Sequence, residues 1–459
     1  MNAPVPGRVA IVGGGWAGLA CAVELSAAGV SVCLFEAARQ LGGRARRVEI
    51  DGQALDNGQH ILIGAYHETL RVMRLAGADP GRLLLRLPLE LTFPRGGFSI
   101  RLPRLPAPLH LAAGLLAASG CSLGEKLAAA RFCHALRSGG YLLANDVSVA
   151  EWLDRHRQRG NLRRFLWDPL CLAALNTAPE NASAQIFAGV LREVLSGARE
   201  NSDLLLPRAD LSRVFPDAAA RFIAAHGGEI RLSRRVARIE RPLAIDGEHF
   251  RRAVIAAAPR HAAKLLQKHP ETHEIAALLD TYRFEPIGTV YLAYPRALRL
   301  PSPMFGMHGP LGQWAFDRGR PGGARGLVGC VLSARGGWEE RDNDALAAAL
   351  HEELQETLGR ALPGPLWRRV IRERRATFSC RPGLPRPASA TALPGLWLAG
   401  DYACAGYPAT LEGAVRSGCQ AAREILDQEA DRIGSNHCCG KPGYDRNGRV
   451  PQPCISSPG

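Results

Sequence analysis

Three glycines lie between an apolar run and a helix-forming one in Gly13-Gly14-Gly15-Trp16-Ala17-Gly18. This GxGxxG spacing suits the binding of a pyrophosphate. Gly13 permits the tight turn, Gly15 lets the anion approach the backbone, and Gly18 lets the following helix pack closely on the strand. The free N–H groups and dipole of that helix then favour the negative charge. Glu36 closes the next apolar run, Ser31–Glu36, 18 positions after Gly18. A carboxylate there accepts the hydroxyls of a ribose and disfavours a 2′-phosphate, so the chemistry is dinucleotide binding.

A second glycine turn, Leu41-Gly42-Gly43-Arg44-Ala45, follows closely. Its arginine fork is suited to a diphosphate. Asp56-Asn57-Gly58-Gln59-His60 then brings two titratable groups together. Asp56 and His60 are the candidates for moving a proton, and a turn aspartate with a satisfied histidine is the plainer alternative. Near the other end, Leu398-Ala399-Gly400-Asp401 is a strand followed by an acid that can accept from ribityl hydroxyls. Tyr407-Pro408-Ala409-Thr410-Leu411-Glu412-Gly413-Ala414 then opens a helix expected to run to about Leu426. Its first N–H groups, at Leu411 and Glu412, are positioned to stabilise the negative charge of a reduced flavin. These features together point to FAD.

The elements that must position these residues are legible at low resolution. Arg8–Gly13, Trp16–Ala28 and Ser31–Glu36 read as strand, helix and strand, a βαβ unit. Glu229–Leu232, Arg235–Glu240, Ala253–Ala258 and Leu396–Gly400 read as later strands of the same layer. The expectation is an α/β fold: a Rossmann-like FAD-binding domain in three parts (1–84, 206–264 and 379–429) with inserted α+β substrate segments. A helical substrate- or membrane-facing insertion covers 85–205, and an α+β substrate domain covers 265–378. Strands are expected at Gly288–Ala293 and Gly326–Leu332, and a helix near Ala345–Leu358. The Gly-, Pro- and Ser-containing tail, 430–459, has little to bury and is expected to be disordered. Its His437, Cys438, Cys439 and Cys454 fit no metal-site spacing.

Composition narrows the class. With 459 residues the chain is too long for one core, and 46% hydrophobic with 22% charged residues is ordinary for a globular protein. The formal charge of +14 is almost wholly arginine, Lys126, Lys264, Lys268 and Lys441 being the only lysines. No nucleic-acid-binding motif accompanies it, so no nucleic-acid partner is expected. The start lacks the apolar core of a signal peptide and the cysteines show no CxxC pair, which implies a cytoplasmic protein. Leu105–Ser119 is nearly uncharged but too short to span a bilayer. It reads either as a buried core helix or as one that dips into a membrane face.

The GxGxxG with Glu36, the Gly42-Gly43-Arg44 turn and the terminal Gly400-Asp401 with Glu412-Gly413-Ala414 resemble the FAD-dependent amine oxidase and phytoene desaturase superfamily, to about residue 428. Three segments are more similar to its squalene-associated branch: Leu55-Asp56-Asn57-Gly58-Gln59-His60 through Tyr66, Trp167-Asp168-Pro169-Leu170 with Ala174-Leu175-Asn176, and Gly406-Tyr407 through Gly413. The resemblance implies that Glu36 binds the adenosine ribose and Arg44 the diphosphate region. It further implies that Val236 meets the adenine through its backbone and Asp401 the ribityl chain or diphosphate. Thr410 stands where amine oxidases usually place a cage aromatic, which disfavours amine oxidation. The implied reaction is reductive dehydroxylation of hydroxysqualene, an isoprenoid substrate met at the inner face of the cytoplasmic membrane. A phytoene- or squalene-type desaturase and a non-catalytic flavin-binding partner of an isoprenoid synthase are the rival readings. No second strand–GxGxxG–helix unit follows residue 18, so an external electron donor or reductase is expected rather than bound NADPH.

Overall fold

The computed structural model describes residues 7–438. Its central layer is a five-stranded parallel sheet in the order Glu229–Arg231, Val32–Phe35, Val9–Val12, Arg252–Ile255, Leu396–Leu398. Every residue of Val9–Val12, Val32–Phe35 and Leu396–Leu398 is buried. A strand covered on both faces must be continuously apolar, which is why these runs show no alternation. The sheet joins strands hundreds of positions apart in the sequence.

The helix Trp16–Ala27 stops at Ala28, and Gly29 follows with φ +77, as a glycine stop allows. The second sheet is antiparallel, ordered Met304–Gly306, Trp314–Asp317, Leu327–Ser333, Phe284–Ala293, Trp367–Phe378. Its side chains alternate between two faces. Val290, Leu292, Cys330 and Leu332 pack with Leu346, Leu350 and Leu354 of the helix Asn343–Leu358. Met304, Trp314, Phe316 and Val331 point the other way, into the space between the two sheets.

Three expectations are corrected. Arg235–Glu240 is not a strand of the parallel layer: only Ile239–Glu240 is extended, in a small antiparallel sheet with Ala244–Ile245 and Glu248–His249. The backbone N–H groups of Ala237 and Arg238 donate instead to the Asp246 carboxylate, so that segment has no ladder to join. The stretch 105–119 forms the helix Leu109–Ala117, and it is not core, since Leu109 is 59% and Leu116 68% exposed. The terminal helix spans Leu411–Cys438, past the expected end near Leu426. Residues 439–459, with most of the expected disordered tail, lie outside the described residues.

Candidate active site

A cavity of about 1240 Å³ runs between the two sheets. That exceeds the roughly 300–1,000 Å³ of an ordinary small-ligand site. It has two unlike ends.

At the first end stand Gly13, Gly15, Glu36, Gly43, Arg44, Val236, Gly400, Asp401 and Leu411, all on the cavity wall. The glycine turn is sterically obligatory. Gly13 holds φ +118, and a Cβ on Gly18 would stand 2.0 Å from the Gly13 carbonyl oxygen. The Gly42 turn rests directly upon it, through a 2.8 Å bond from the Gly42 N–H to the Gly14 carbonyl. The helix Trp16–Ala27 has no side-chain cap and no acid in its first turn, although Trp16, Ala17 and Gly18 are buried. Buried first-turn donors without an acceptor are the arrangement that an anion satisfies. FAD fits this end.

Glu36 accepts 2.7 Å bonds from the backbone N–H groups of Gly14 and Ala38. Its carboxylate is thereby fixed at the strand end, with lone pairs left over for a ribose. Arg44 donates to Asp401 at 2.8 Å and to the Ala376 carbonyl at 2.5 Å. Asp401 is buried and also accepts from its neighbour's N–H, at Tyr402. Arg44 and Asp401, 357 positions apart, thus close the cofactor end from both sides.

The structure separates the two proton-transfer candidates. His60 lines the cavity, and its Nδ1–H donates to the Gly58 carbonyl at 2.9 Å. Burial, with Arg44 adding to it, lowers its pKa below the ordinary 6.5, against the opposing hydrogen bond to Gly58. The resting ring is therefore neutral at pH 7, with Nε2 free to exchange a proton. Asp56 faces away from the cavity. Its carboxylate accepts from the Leu211 N–H at 2.7 Å and pairs with the buried Arg318 at 3.2 Å. Burial pushes its pKa up to about 6, with Arg318 opposing. Asp56 ties the chain together through Leu211 and Arg318, off the cavity that His60 lines.

The Glu412 side chain has a structural task of its own. Its side chain is fully buried off the cavity, accepting from the N–H groups of Glu68 and Thr69, the Thr69 hydroxyl and Arg416. It caps the helix His67–Leu75, so only its backbone N–H remains available to a flavin. Thr410 accepts from the Gly413 N–H at 3.1 Å and caps the terminal helix. A capping hydroxyl here explains in part why no aromatic occupies this position.

The second end is an apolar arm. Leu91 and Ile100 come from two short strands, Leu111 and Leu115 from Leu109–Ala117, and Ala129, Ala130 and Cys133 from Leu123–Ser138. Leu170, Ala174, Val190 and Leu191 complete it with Met304, Trp314 and Phe316. Asn176 lines the same cavity, with φ +46. Its amide is fully used, donating to the Pro286 carbonyl and the Thr377 hydroxyl and accepting from the Ala334 N–H. The motif containing Asn176 is visible in the sequence, but its joining role is not. Tyr66 and Tyr407 also line the wall, and burial raises both phenols well above their ordinary range.

The fold and site define an FAD-dependent oxidoreductase. A family model described as flavin containing amine oxidoreductase matches residues 16–426, and the chain belongs to that family. It is 28% identical over 442 residues to the hydroxysqualene dehydroxylase of Sinorhizobium fredii, covering 92% of this chain and 99% of the relative. It is 24% identical over 469 residues to the 15-cis-phytoene desaturase of Synechococcus elongatus, covering 92% of this chain and 96% of the relative. Among solved structures, a triple mutant of putrescine oxidase matches with a TM-score of 0.70 at 17% identity, covering 92% of this chain and 99% of that one. Cyclohexylamine oxidase of Brevibacterium oxydans matches with 0.68 at 20%, with the same coverage. These two show the fold alone.

Proposed function

We propose that this chain removes the hydroxyl of hydroxysqualene reductively, giving squalene and water. The observation that carries the reading is the apolar arm, part of the same cavity as the cofactor end, whose predominantly apolar wall suits a long hydrocarbon although His134, Arg137 and Glu193 also line the cavity. The similarity to three hydroxysqualene dehydroxylases, at 26–28% identity, supports it. The chemistry that FAD supplies, when bound and reduced, is a hydride equivalent for the carbon that loses oxygen. The chain's own part is to hold the allylic carbon near the cofactor, exclude water and deliver a proton to the departing oxygen. With Asp56 paired to Arg318, His60 is the proposed donor, acting from Nε2 as the imidazolium. Glu36, Arg44, Val236 and Asp401 are the proposed FAD contacts, together with the backbone at Gly13, Gly15, Gly18, Gly43, Gly400, Leu411 and Glu412. The segments 85–205 and 265–378 are proposed to bind substrate.

The substrate enters from a bilayer in this reading. Leu105, Leu109, Leu116, Leu123 and Leu127 are all exposed, and the helix carrying Leu109 and Leu116 also lines the cavity through Leu111 and Leu115. Arg101 and Arg104 flank this face, suiting anionic headgroups at about 1 kcal/mol each. No helix among the described residues is long and apolar enough to cross a membrane, so the proposed contact is peripheral. The runner-up is desaturation, favoured by the similarity to phytoene and zeta-carotene desaturases. Anaerobic incubation of the FAD-loaded, reduced protein with hydroxysqualene, followed by mass spectrometry, separates them. Squalene is the expected product, and unchanged hydroxysqualene rejects the proposal.

A further inference from the structure

A second concavity, of about 770 Å³, is lined in part by the strand Trp367–Phe378. Six arginines line it, Arg283, Arg335, Arg372, Arg374, Arg375 and Arg381, against two glutamates, Glu285 and Glu373. Glu373 is already engaged, accepting from the Asn57 side chain and the Arg375 N–H. Arg372 is also engaged, through the carbonyls of Trp338, Glu339 and Arg341. Among the described residues no hydrogen bond or ion pair holds the guanidinium groups of Arg283, Arg374, Arg375 and Arg381.

Charge on an outermost strand has an ordinary explanation, since it discourages edge-to-edge pairing. Trp367–Phe378 is such a strand. That explanation covers Arg374 and Arg375 but not Arg283, Arg335 and Arg381, which converge on the same hollow from three other segments. Like charges gathered in a concavity repel one another and focus an attractive field on an anion. Free guanidinium forks match phosphate oxygens in geometry as well as charge. The hollow falls within the size of a small-ligand site, which favours a compact phosphorylated molecule over a flat protein surface.

Position suggests what the anion carries. Glu373 lines this cleft and the cofactor cavity alike, so the two adjoin at that residue. We propose that the arginine cleft binds the phosphate of reduced flavin mononucleotide, which recharges the FAD. In that exchange reduced FMN gives up two electrons and two protons and leaves as FMN, while the bound FAD takes up two electrons and two protons. The need for a reductant rests on the dehydroxylation reading; the phosphate site does not.

The test uses FAD-loaded protein and no isoprenoid, so its failure is distinct from failure of that reading. FMN is titrated by equilibrium dialysis, with inorganic pyrophosphate as competitor. Photoreduced FMN is then mixed anaerobically with the holoenzyme and bleaching of the bound FAD is followed. R374E/R375E is expected to weaken FMN binding at least tenfold and to slow bleaching by reduced FMN to match, while bleaching by dithionite is unchanged. R335E, on a different segment, is expected to act in the same direction and guards against a folding defect in the first variant. FMN that fails to bind the holoenzyme, or that binds both variants as well as the parent, overturns the proposal. So does loss in R374E/R375E of reduction by an acidic flavodoxin without any loss with free FMN, which assigns the cleft to a protein instead.

Discussion

The two ends of the cavity are built on different principles. The cofactor end is made of backbone, glycines and charged groups locked by partners: Glu36 on two N–H groups, Arg44 on Asp401. The apolar arm is made of side chains drawn from many elements. A rigid polar cradle tolerates no change of shape, because an added atom meets backbone. An apolar wall responds in proportion to the surface removed, at roughly 25 cal/mol per Å². Damage at the first end is therefore abrupt, and at the second graded.

The sharpest break is Gly18→Val. Its Cβ would stand 2.0 Å from the Gly13 carbonyl oxygen, and backbone cannot yield as a flexible side chain does. A loss of roughly 3 kcal/mol or more of the FAD-bound state is expected, read as nearly colourless purified protein. Normal FAD content there would mean that the turn is not a close-packed cradle.

His60→Gln comes next, with turnover about a hundredfold lower and FAD content unchanged. In the proposed role the active form is the imidazolium, and the pKa is lowered by burial. Turnover should therefore rise as pH falls through neutrality and level off only below the ordinary 6.5. The variant should lose that rise, and a parent profile flat across this range would exclude His60 as donor. Glu36→Ala, which removes a ribose acceptor but no wall, is expected to weaken FAD by roughly 1–3 kcal/mol, measured as Kd. The smallest effect belongs to the apolar end. Leu109→Asp with Leu116→Asp should reduce sedimentation with anionic liposomes about tenfold, or about 1.4 kcal/mol, without altering FAD affinity. Unchanged sedimentation would dissociate the exposed leucines from any membrane.

The same contrast decides what the sequence makes legible. Gly13, Gly15, Gly18 and Glu36 obey a local rule written within one βαβ unit, so their meaning survives without the fold. The strands Phe284–Ala293 and Leu327–Ser333 and the helix Asn343–Leu358 likewise match their apolar patterns. The apolar arm obeys no local rule. Leu91, Leu115, Val190 and Phe316 look like core residues anywhere, and only the packing of two sheets makes them one wall. The partners of Asp56 and Glu412 are not legible in the sequence for a related reason. Each carries a chemically suggestive carboxylate, but its partners lie far off in sequence, Arg318 at a separation of 262 and Thr69 at 343. The exposed helix Leu109–Ala117 shows the converse: apolar composition alone does not distinguish a core helix from a surface one.

The central claim is that the two ends act on one molecule, with electrons passing from the cofactor to an isoprenoid alcohol. The most direct measurement is a single anaerobic turnover followed at the flavin absorbance. Protein-bound FAD is reduced with one equivalent of dithionite and mixed with hydroxysqualene in detergent. The oxidised flavin spectrum should return, with one squalene formed per FAD. A flavin that stays reduced with hydroxysqualene, while the oxidised protein is bleached by squalene or phytoene, would contradict the account and reverse the direction of electron flow.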